Sequence, residues 1–182
     1  MRFLVIDSAG AFPLGHPTTR LCLDLLVRAL KAAPVNRLVE IGCGSGVLCV
    51  AAAALGVPWL VGLDIARRAV RATRKNARRL KLAKAFHVIQ GSSNCLAGSF
   101  DLVVANLPIE VQHEQVTNLH RLTAAGGRLL LSGWRAPDET PLLQQYQHLG
   151  WRLADRAVKY FTHPDLPANM NFDWVAWLLA PV

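Results

Sequence analysis

The chain has 182 residues, of which 52% are hydrophobic and 18% charged, so it can bury the core of one ordinary domain and is not a disordered chain. Its four cysteines show no C-x-x-C pairing, which favours reduced thiols in a cytoplasmic protein and disfavours a zinc site, so we expect no bound metal. We predict a single domain over residues 1–182, with a strand, a loop and a helix in residues 1–33 and the core in residues 34–182.

The N-terminal segment combines a short apolar run, a loop and a helix. Phe3 to Ile6 predicts a strand and is far too short for the hydrophobic region of a secretory signal. Glycine and proline mark residues 7–16 as a loop. Pro17 suits the first turn of a helix, and leucines at helical spacing extend this helix to Ala33.

A glycine-rich loop between a strand and a helix follows. Leu38 to Ile41 predicts a buried parallel strand, and the breaker-free segment Val47 to Leu55 predicts a helix. Between them the backbone can turn sharply and approach a ligand at three alternate glycines, namely Gly42, Gly44 and Gly46. The first amide groups of the helix would point back at this loop.

An acid at the end of the next strand indicates a nucleoside ligand. Trp59 to Leu63 predicts a strand, and the two oxygens of Asp64 behind it can accept both ribose hydroxyls about 20 residues after a glycine loop. A dinucleotide loop would carry Gly or Ala in place of Val47, and no lysine stands nearby to bind phosphate. With Glu40 two residues before the first glycine, the G-x-G-x-G spacing resembles motif one of the class I S-adenosylmethionine-dependent methyltransferases.

The stretch from Ile41 to Leu63 has no charged residue and is long enough to cross a bilayer. Several glycines and Pro58 interrupt it, which a membrane helix could not absorb. We therefore expect neither a membrane span nor a membrane partner.

The net charge of +8 is concentrated in one segment. Residues 67–84 hold nine basic residues and no acid, which leaves eleven basic and twelve acidic residues elsewhere. Small and apolar residues at helical spacing predict a helix over Ala66 to Lys81. Because a charge run on a helix is usually a solvated face, we do not favour a nucleic-acid partner and expect no specific nucleic-acid site here.

In the remainder of the chain, predicted strands first alternate with helices, and this alternation then ends. We predict strands at residues 85–89, 100–105 and 128–131 and helices at residues 111–122 and 141–149. Two further strands, Trp151 to Phe161 and Phe172 to Leu179, have no helix between them and can pair antiparallel. This order predicts an α/β fold with a doubly wound, mostly parallel seven-stranded sheet and an antiparallel C-terminal hairpin strand.

Asn106 stands where a central strand ends. The carboxyl ends of parallel strands meet at one edge of the sheet, so Asn106 and the turn through Pro108 should face the glycine loop. The Asn106 side chain and a rigid backbone carbonyl of this turn are acceptors that can hold an amine by its hydrogens. Methyl transfer would then depend mostly on positioning and on exclusion of water. In the alternative interpretation Asn106 only closes the strand.

Several segments resemble the PrmA-type ribosomal protein methyltransferases over nearly the whole chain. Residues 11–23 are similar to the family signature A-F-G-T-G-T-H-P-T-T-x-L-C-L. Other similar segments follow in the same order, namely V-E-I-G-C-G-S-G at 39–46, G-L-D at 62–64, D-L-V-V-A-N-L at 101–107, L-S-G at 131–133 and D-W-V-A at 173–176. The resemblance implies a Rossmann-like class I methyltransferase with S-adenosyl-L-methionine as its cofactor.

The resemblance and the motifs together name the site residues. Those expected at the cofactor are Thr18, Thr19, Glu40, Gly42, Gly44, Gly46, Asp64 at the ribose, Ser92 at the adenine, and Asn106. Those expected to act on or border the acceptor are Asn106 and Pro108 as catalytic groups, with Phe12, His16, Leu107 and Trp134 lining its pocket.

The acceptor itself is less well specified. Members of the family carry a separate N-terminal domain that binds the ribosomal protein, whereas this chain begins at the catalytic domain. We predict an S-adenosylmethionine-dependent N-methyltransferase, whose acceptor is a protein amine or lysine of the ribosomal-protein kind. The alternatives are a nucleic-acid or small-molecule methyltransferase, and a non-catalytic domain that binds S-adenosylmethionine.

Overall fold

The computed structural model describes residues 15–161 and 172–182, and these residues form one seven-stranded sheet flanked by five α-helices. The strands are β1 (Arg37–Ile41), β2 (Trp59–Asp64), β3 (Phe86–Gln90), β4 (Phe100–Asn106), β5 (Thr123–Arg135), β6 (Trp151–Phe161) and β7 (Phe172–Pro181). The helices are α1 (Pro17–Ala32), α2 (Val47–Ala54), α3 (Arg67–Arg79), α4 (Ile109–Leu122) and α5 (Glu139–His148).

The strand order in the sheet is β3-β2-β1-β4-β5-β7-β6. Strands β1 to β5 pair in parallel, and β7 runs antiparallel to both β5 and β6. The predicted fold class is therefore confirmed, including the reversed C-terminal strand. Because the order reverses between β1 and β4, the carboxyl ends of these two strands flank the crevice where such sheets bind ligands.

Each face of the sheet carries its own hydrophobic cluster. On one face, buried side chains of α1, α2 and α3 such as Leu25, Leu48 and Ala77 pack on the sheet. On the other, α4 and α5 contribute Leu119 and Tyr146. With helices covering both faces, the central strands need no polar face, which explains their continuous apolar sequences.

The element boundaries differ from the predicted ones at two helix starts beside prolines and in β5, which is much longer than predicted. Helix α4 begins at Ile109, two residues earlier than predicted, because Pro108 with φ of −52° serves as its N-cap. Helix α5 begins at Glu139 and places Pro141 within its first turn, where the missing N–H costs nothing. Strand β5 begins at Thr123, because Thr123 already pairs with Phe100 before the ladder shifts register.

Two of the predicted segments lie outside the described residues. These are the strand Phe3 to Ile6 and the loop from Thr162 to Asn171; the loop 7–16 is described only from residue 15 on. None of the helices in the described ranges combines the length and the hydropathy needed to cross a membrane.

Candidate functional site

The glycine loop turns back on itself at the end of β1. The amides of Gly42 and Cys43 both donate to the Leu63 carbonyl, at 2.8 and 2.9 Å, which ties the loop to the end of β2. Gly42 has φ of +71°, and a Cβ there would lie 2.3 Å from Cδ2 of Leu107. Only glycine at this position allows the loop and the turn after β4 to close on each other.

A cavity of about 510 Å³ opens between this loop and the turn after β4. Its lining brings together six of the predicted residues, namely Gly42, Gly44, Asp64, Ser92, Leu107 and Pro108. A volume of this size is typical of small-molecule and cofactor sites.

The Asp64 carboxylate is held at the rim of this cavity by two backbone amides. Its Oδ1 accepts the N–H of Ala66 at 2.8 Å, and its Oδ2 accepts the N–H of Gly44 at 2.9 Å. Each carboxylate oxygen has a second lone-pair direction, so the group can still accept from a ligand. The two bonds fix the orientation in which it would do so.

Glu40, at the end of β1, holds the glycine loop through a bond to α2. It is buried, and its Oε2 accepts the N–H of Cys49 in the first turn of α2 at 2.9 Å. Burial raises the pKa of the Glu40 carboxyl to about 7, while the bonds from Cys49 act in the opposite direction. Glu40 therefore connects the end of β1 to the start of α2.

A second, small cavity of about 40 Å³ also borders the glycine loop, and Gly42 and Gly44 line both cavities. It is also lined by Thr19, Glu40 and Asn106. The Oδ1 atom of Asn106 is buried and has no hydrogen-bond partner among the described residues. An unsatisfied buried acceptor is costly, so this atom is a natural point of contact for a ligand donor.

A third cavity of about 330 Å³ lies on the other side of Pro108, which lines both it and the large cavity. Trp134 and Trp174 supply aromatic walls, and Glu110 and Asp138 supply carboxylates. Trp134 is almost fully buried, and within the described ranges its Nε1 finds no acceptor.

The remaining predicted residues lie elsewhere. Gly46 is buried behind the loop, where a Cβ would lie 2.7 Å from Cγ2 of Thr73, so it serves the packing of the loop on α3. Thr18 is buried, and its Oγ1 lies 2.9 Å from Nδ1 of His16. His16 caps α1 and packs edge-on against Trp174 at 4.8 Å between ring centroids, and burial lowers its pKa. Phe12 lies outside the described residues.

The turn after β4 is fastened to β5 by a residue that the sequence did not single out. Gln112 is fully buried, and its Nε2 donates to the carbonyls of Ala105 and Ser132 at 2.9 and 2.8 Å. The Leu107 amide also donates to the Ser132 carbonyl, at 2.9 Å. Gln112 occupies an inward position of α4, and a glutamine there carried no signal that distinguished it from a surface residue.

The same turn is pressed against β5 by a second glycine. Gly133 has φ of +117°, and a Cβ there would lie 1.9 Å from the Leu107 carbonyl oxygen. The Pro108 carbonyl already accepts the N–H of Gln112 at 2.9 Å as the first bond of α4. The Asn106 side chain differs, because its Oδ1 is buried without a partner in the described structure and the residue lines the small cavity.

Comparison with known proteins shows the family of this chain. The family model described as ribosomal protein L11 methyltransferase (PrmA) matches residues 3–159. The chain belongs to the PrmA family. The resemblance inferred from its motifs is thereby confirmed.

Curated members of the PrmA family are considerably longer than this chain. The ribosomal protein L11 methyltransferase of Cupriavidus necator is 41% identical over 131 residues, which cover 71% of this chain and 42% of that protein. The Neisseria meningitidis enzyme of the same name is 41% identical over 134 residues, covering 71% and 43%. The chain thus spans less than half the length of these PrmA relatives.

Solved structures show the same fold. The ribosomal protein L11 methylase of Lactobacillus delbrueckii superposes with a TM-score of 0.78 at 22% identity, covering 98% of this chain and 84% of that one. The N-methyltransferase NodS of Bradyrhizobium japonicum, solved with S-adenosyl-L-homocysteine, gives 0.68 at 18% identity, covering 92% and 89%.

Proposed function

We propose that this chain is an S-adenosylmethionine-dependent N-methyltransferase that acts on a protein amine. The single observation that carries the proposal is the Oδ1 of Asn106, which is buried without a hydrogen-bond partner among the described residues; Asn106 lines a small cavity that shares Gly42 and Gly44 with the cavity bordered by the glycine loop and Asp64. Membership of the PrmA family supports the same activity. We also propose that residues 1–182 act as one methyltransferase domain, in the cytoplasm, where free thiols persist.

The residues at the cavities fit S-adenosylmethionine. The Asp64 carboxylate, already oriented by two amides, would accept the ribose hydroxyls, and the loop at Ser92 would border the adenine. The backbone at Gly42 and Gly44 would lie against the methionine part, close to Thr19. When bound, this cofactor supplies an electrophilic methyl group on a positively charged sulfur.

Asn106 would act on the acceptor nitrogen by orientation. Its Oδ1 can accept a hydrogen from the amine and direct the nitrogen lone pair toward the glycine loop. This bond becomes stronger as positive charge develops on the nitrogen, so it would stabilise the transition state more than the ground state. Leu107 and Pro108 follow Asn106 in the turn and line the large cavity, where they would help to exclude water from a bound cofactor.

The third cavity is the proposed route for the acceptor. It meets the cofactor cavity at Pro108, and its walls include Trp134, a residue proposed to line the acceptor pocket. The two carboxylates of this cavity, Glu110 and Asp138, outnumber its one guanidinium, Arg135, which would favour a cationic side chain such as lysine over a phosphate-bearing acceptor. The amine must lose a proton before attack, and solvent is the proposed proton acceptor.

Transfer of labelled methyl from S-adenosylmethionine in a bacterial lysate tests the proposal. We expect label on a protein band that resists nuclease and disappears on protease digestion, and acid hydrolysis should release methylated lysine or a methylated N-terminal residue. Label on nucleic acid or on a small molecule, and not on protein, would refute the protein acceptor and favour one of the other two acceptor classes. Binding of S-adenosylhomocysteine without transfer to any fraction would favour the non-catalytic alternative.

A further inference from the structure

The loop that follows β3 forms one wall of the cofactor cavity, and its backbone is bonded to the sheet at its first residue, where the Gly91 amide donates to the Asp64 carbonyl at 3.0 Å. Gly91, Ser92 and Ser93 line the cavity, and residues Ser93–Cys95 form a single 3₁₀ turn. Strand β3 is at the edge of the described sheet and pairs only with β2. The backbone hydrogen bonds inside the turn join residues three positions apart: the amide of Cys95 donates to the Ser92 carbonyl, and that of Leu96 to the Ser93 carbonyl.

Helix α4 holds the rest of this loop, residues 93–96, through side-chain hydrogen bonds. Nη1 of Arg121 donates to the Leu96 carbonyl at 3.0 Å, and Nη2 donates to the Ser93 carbonyl at 3.2 Å. The Ser93 hydroxyl donates to Oε1 of Gln115, one turn and a half earlier on the same helix. One guanidinium therefore holds both ends of the 3₁₀ turn, using the fork geometry that only arginine offers.

The same helix also forms the wall that faces the loop. Val111, Glu114 and Gln115 line the cavity opposite Gly91 and Ser92. Arg121 itself does not line the cavity and is exposed at the last turn of α4. It can therefore affect a ligand only by fixing the distance between the two walls.

We propose that Arg121 is a positioning residue that preorganises the loop 91–96 and thereby sets the affinity for the nucleoside end of the cofactor. The inference rests on the proposed cofactor. A loop that is already ordered loses less conformational entropy when a ligand binds, so the benefit falls on binding and not on the chemical step.

The test compares two arginines with matched geometry. Arg128 also donates both Nη atoms to carbonyls at the end of a helix, those of Ala29 at 2.7 Å and Ala33 at 3.3 Å, but it lies far from the cavity. We expect Arg121→Met to raise the calorimetric Kd for S-adenosylhomocysteine by about tenfold. We expect Arg128→Met to leave that Kd within twofold of the wild type, and Arg121→Lys, which can reach one carbonyl at a time, to fall between.

The chain offers a second measurement that needs no activity. Cys95 is the exposed cysteine of the turn, whereas Cys22, Cys43 and Cys49 are buried. A more mobile turn should let the Cys95 thiol react faster with a disulfide reagent in Arg121→Met than in the wild type, and Cys95→Ala should abolish this fast phase. At saturating S-adenosylmethionine, kcat of Arg121→Met should stay within about twofold of the wild type, while its KM for the cofactor rises.

Two results would overturn the inference. In the first, both Arg121 variants have the same Kd and the same thiol reaction rate as the wild type. In the second, Arg121→Met and Arg128→Met lose affinity equally, which would indicate a general loss of stability. Failure of the wild type to bind S-adenosylhomocysteine at all would refute the cofactor assignment itself, and this outcome is distinguishable from the other two.

Discussion

Replacement of Asn106 by alanine removes the side-chain amide at the end of β4 and leaves the backbone of the strand intact. Asn106 pairs with Ser132 in the β4–β5 ladder, and this pairing uses main-chain groups only. Its Oδ1 is buried without a partner in the described parts of the chain, so alanine breaks no hydrogen bond of that oxygen.

The two expected effects of this change have opposite directions. An unsatisfied buried acceptor costs about 1 to 3 kcal/mol, so its removal should not lower the free energy of unfolding and can raise it by about 1 kcal/mol after the small cavity is counted. If the same oxygen holds the amine in the transition state, its loss should lower kcat by about 10²- to 10³-fold, which corresponds to about 2.7 to 4 kcal/mol.

Urea unfolding and single-turnover methyl transfer measure these effects separately. Asn36→Ala is a matched control, because Asn36 is exposed at the amino end of β1, lines none of the described cavities, and is bonded through main-chain groups: its amide donates to Asp101 and its carbonyl accepts from the Trp59 amide. The affinity of Asn106→Ala for S-adenosylhomocysteine should stay within a few-fold of the wild type. Wild-type kcat, or a loss of cofactor binding as large as that of Asp64→Ala, would refute the role given to Asn106.

Four further predictions concern other parts of the chain. Asp64→Ala should weaken binding of S-adenosylhomocysteine by about 1 to 3 kcal/mol in calorimetry through lost ribose hydrogen bonds, and tighter binding of NADH would contradict the assignment. Because the pKa of Glu40 is raised from 4.5 to about 7, the native state binds the extra proton, so stability should fall as pH rises through that window, by up to about 3 kcal/mol. Glu40→Gln should lack this component in urea melts recorded from pH 4.5 to 7.5. Reversing the charges of Arg71, Arg74 and Arg78 should leave the amount of RNA bound by the protein at physiological salt unchanged. RNA binding that has a steep salt dependence and is abolished in this variant would instead show a nucleic-acid site. The rate of transfer should rise toward alkaline pH, because a lysine amine with a pKa near 10.4 is mostly protonated at neutral pH, and a flat profile would contradict an amine acceptor.

Sequence periodicity and strand order were sufficient to predict the sheet and one edge of the site. The strand ends at Gly42, Asp64 and Asn106 could be located because parallel strands bring their carboxyl ends together. These positions depend on short segments whose apolar pattern is unambiguous, and the structure brings them to two cavities that share Gly42 and Gly44.

The connections between distant elements could not be predicted in this way. Arg121 and Gln112 are residue types that are common on any helix. Their hydrogen bonds to carbonyls up to 28 positions away depend on how α4 is rotated on the sheet. Gly46 matched a ligand-binding pattern, yet its neighbours are Thr73 and Phe86, a packing relation that no local spacing encodes.

The two glycines that enclose Leu107 have a consequence for engineering the acceptor specificity. Gly42 belongs to the loop after β1 and Gly133 to β5, yet each leaves the space that a Cβ would fill against the Leu107 side chain or its carbonyl. A turn transplanted from another methyltransferase into residues 106–109 would have to meet both surfaces at once. Grafts of this turn should therefore fold when the donor's second residue fits the space that Leu107 occupies and keeps its backbone path, or when the partner positions 42 and 133 are redesigned together with it.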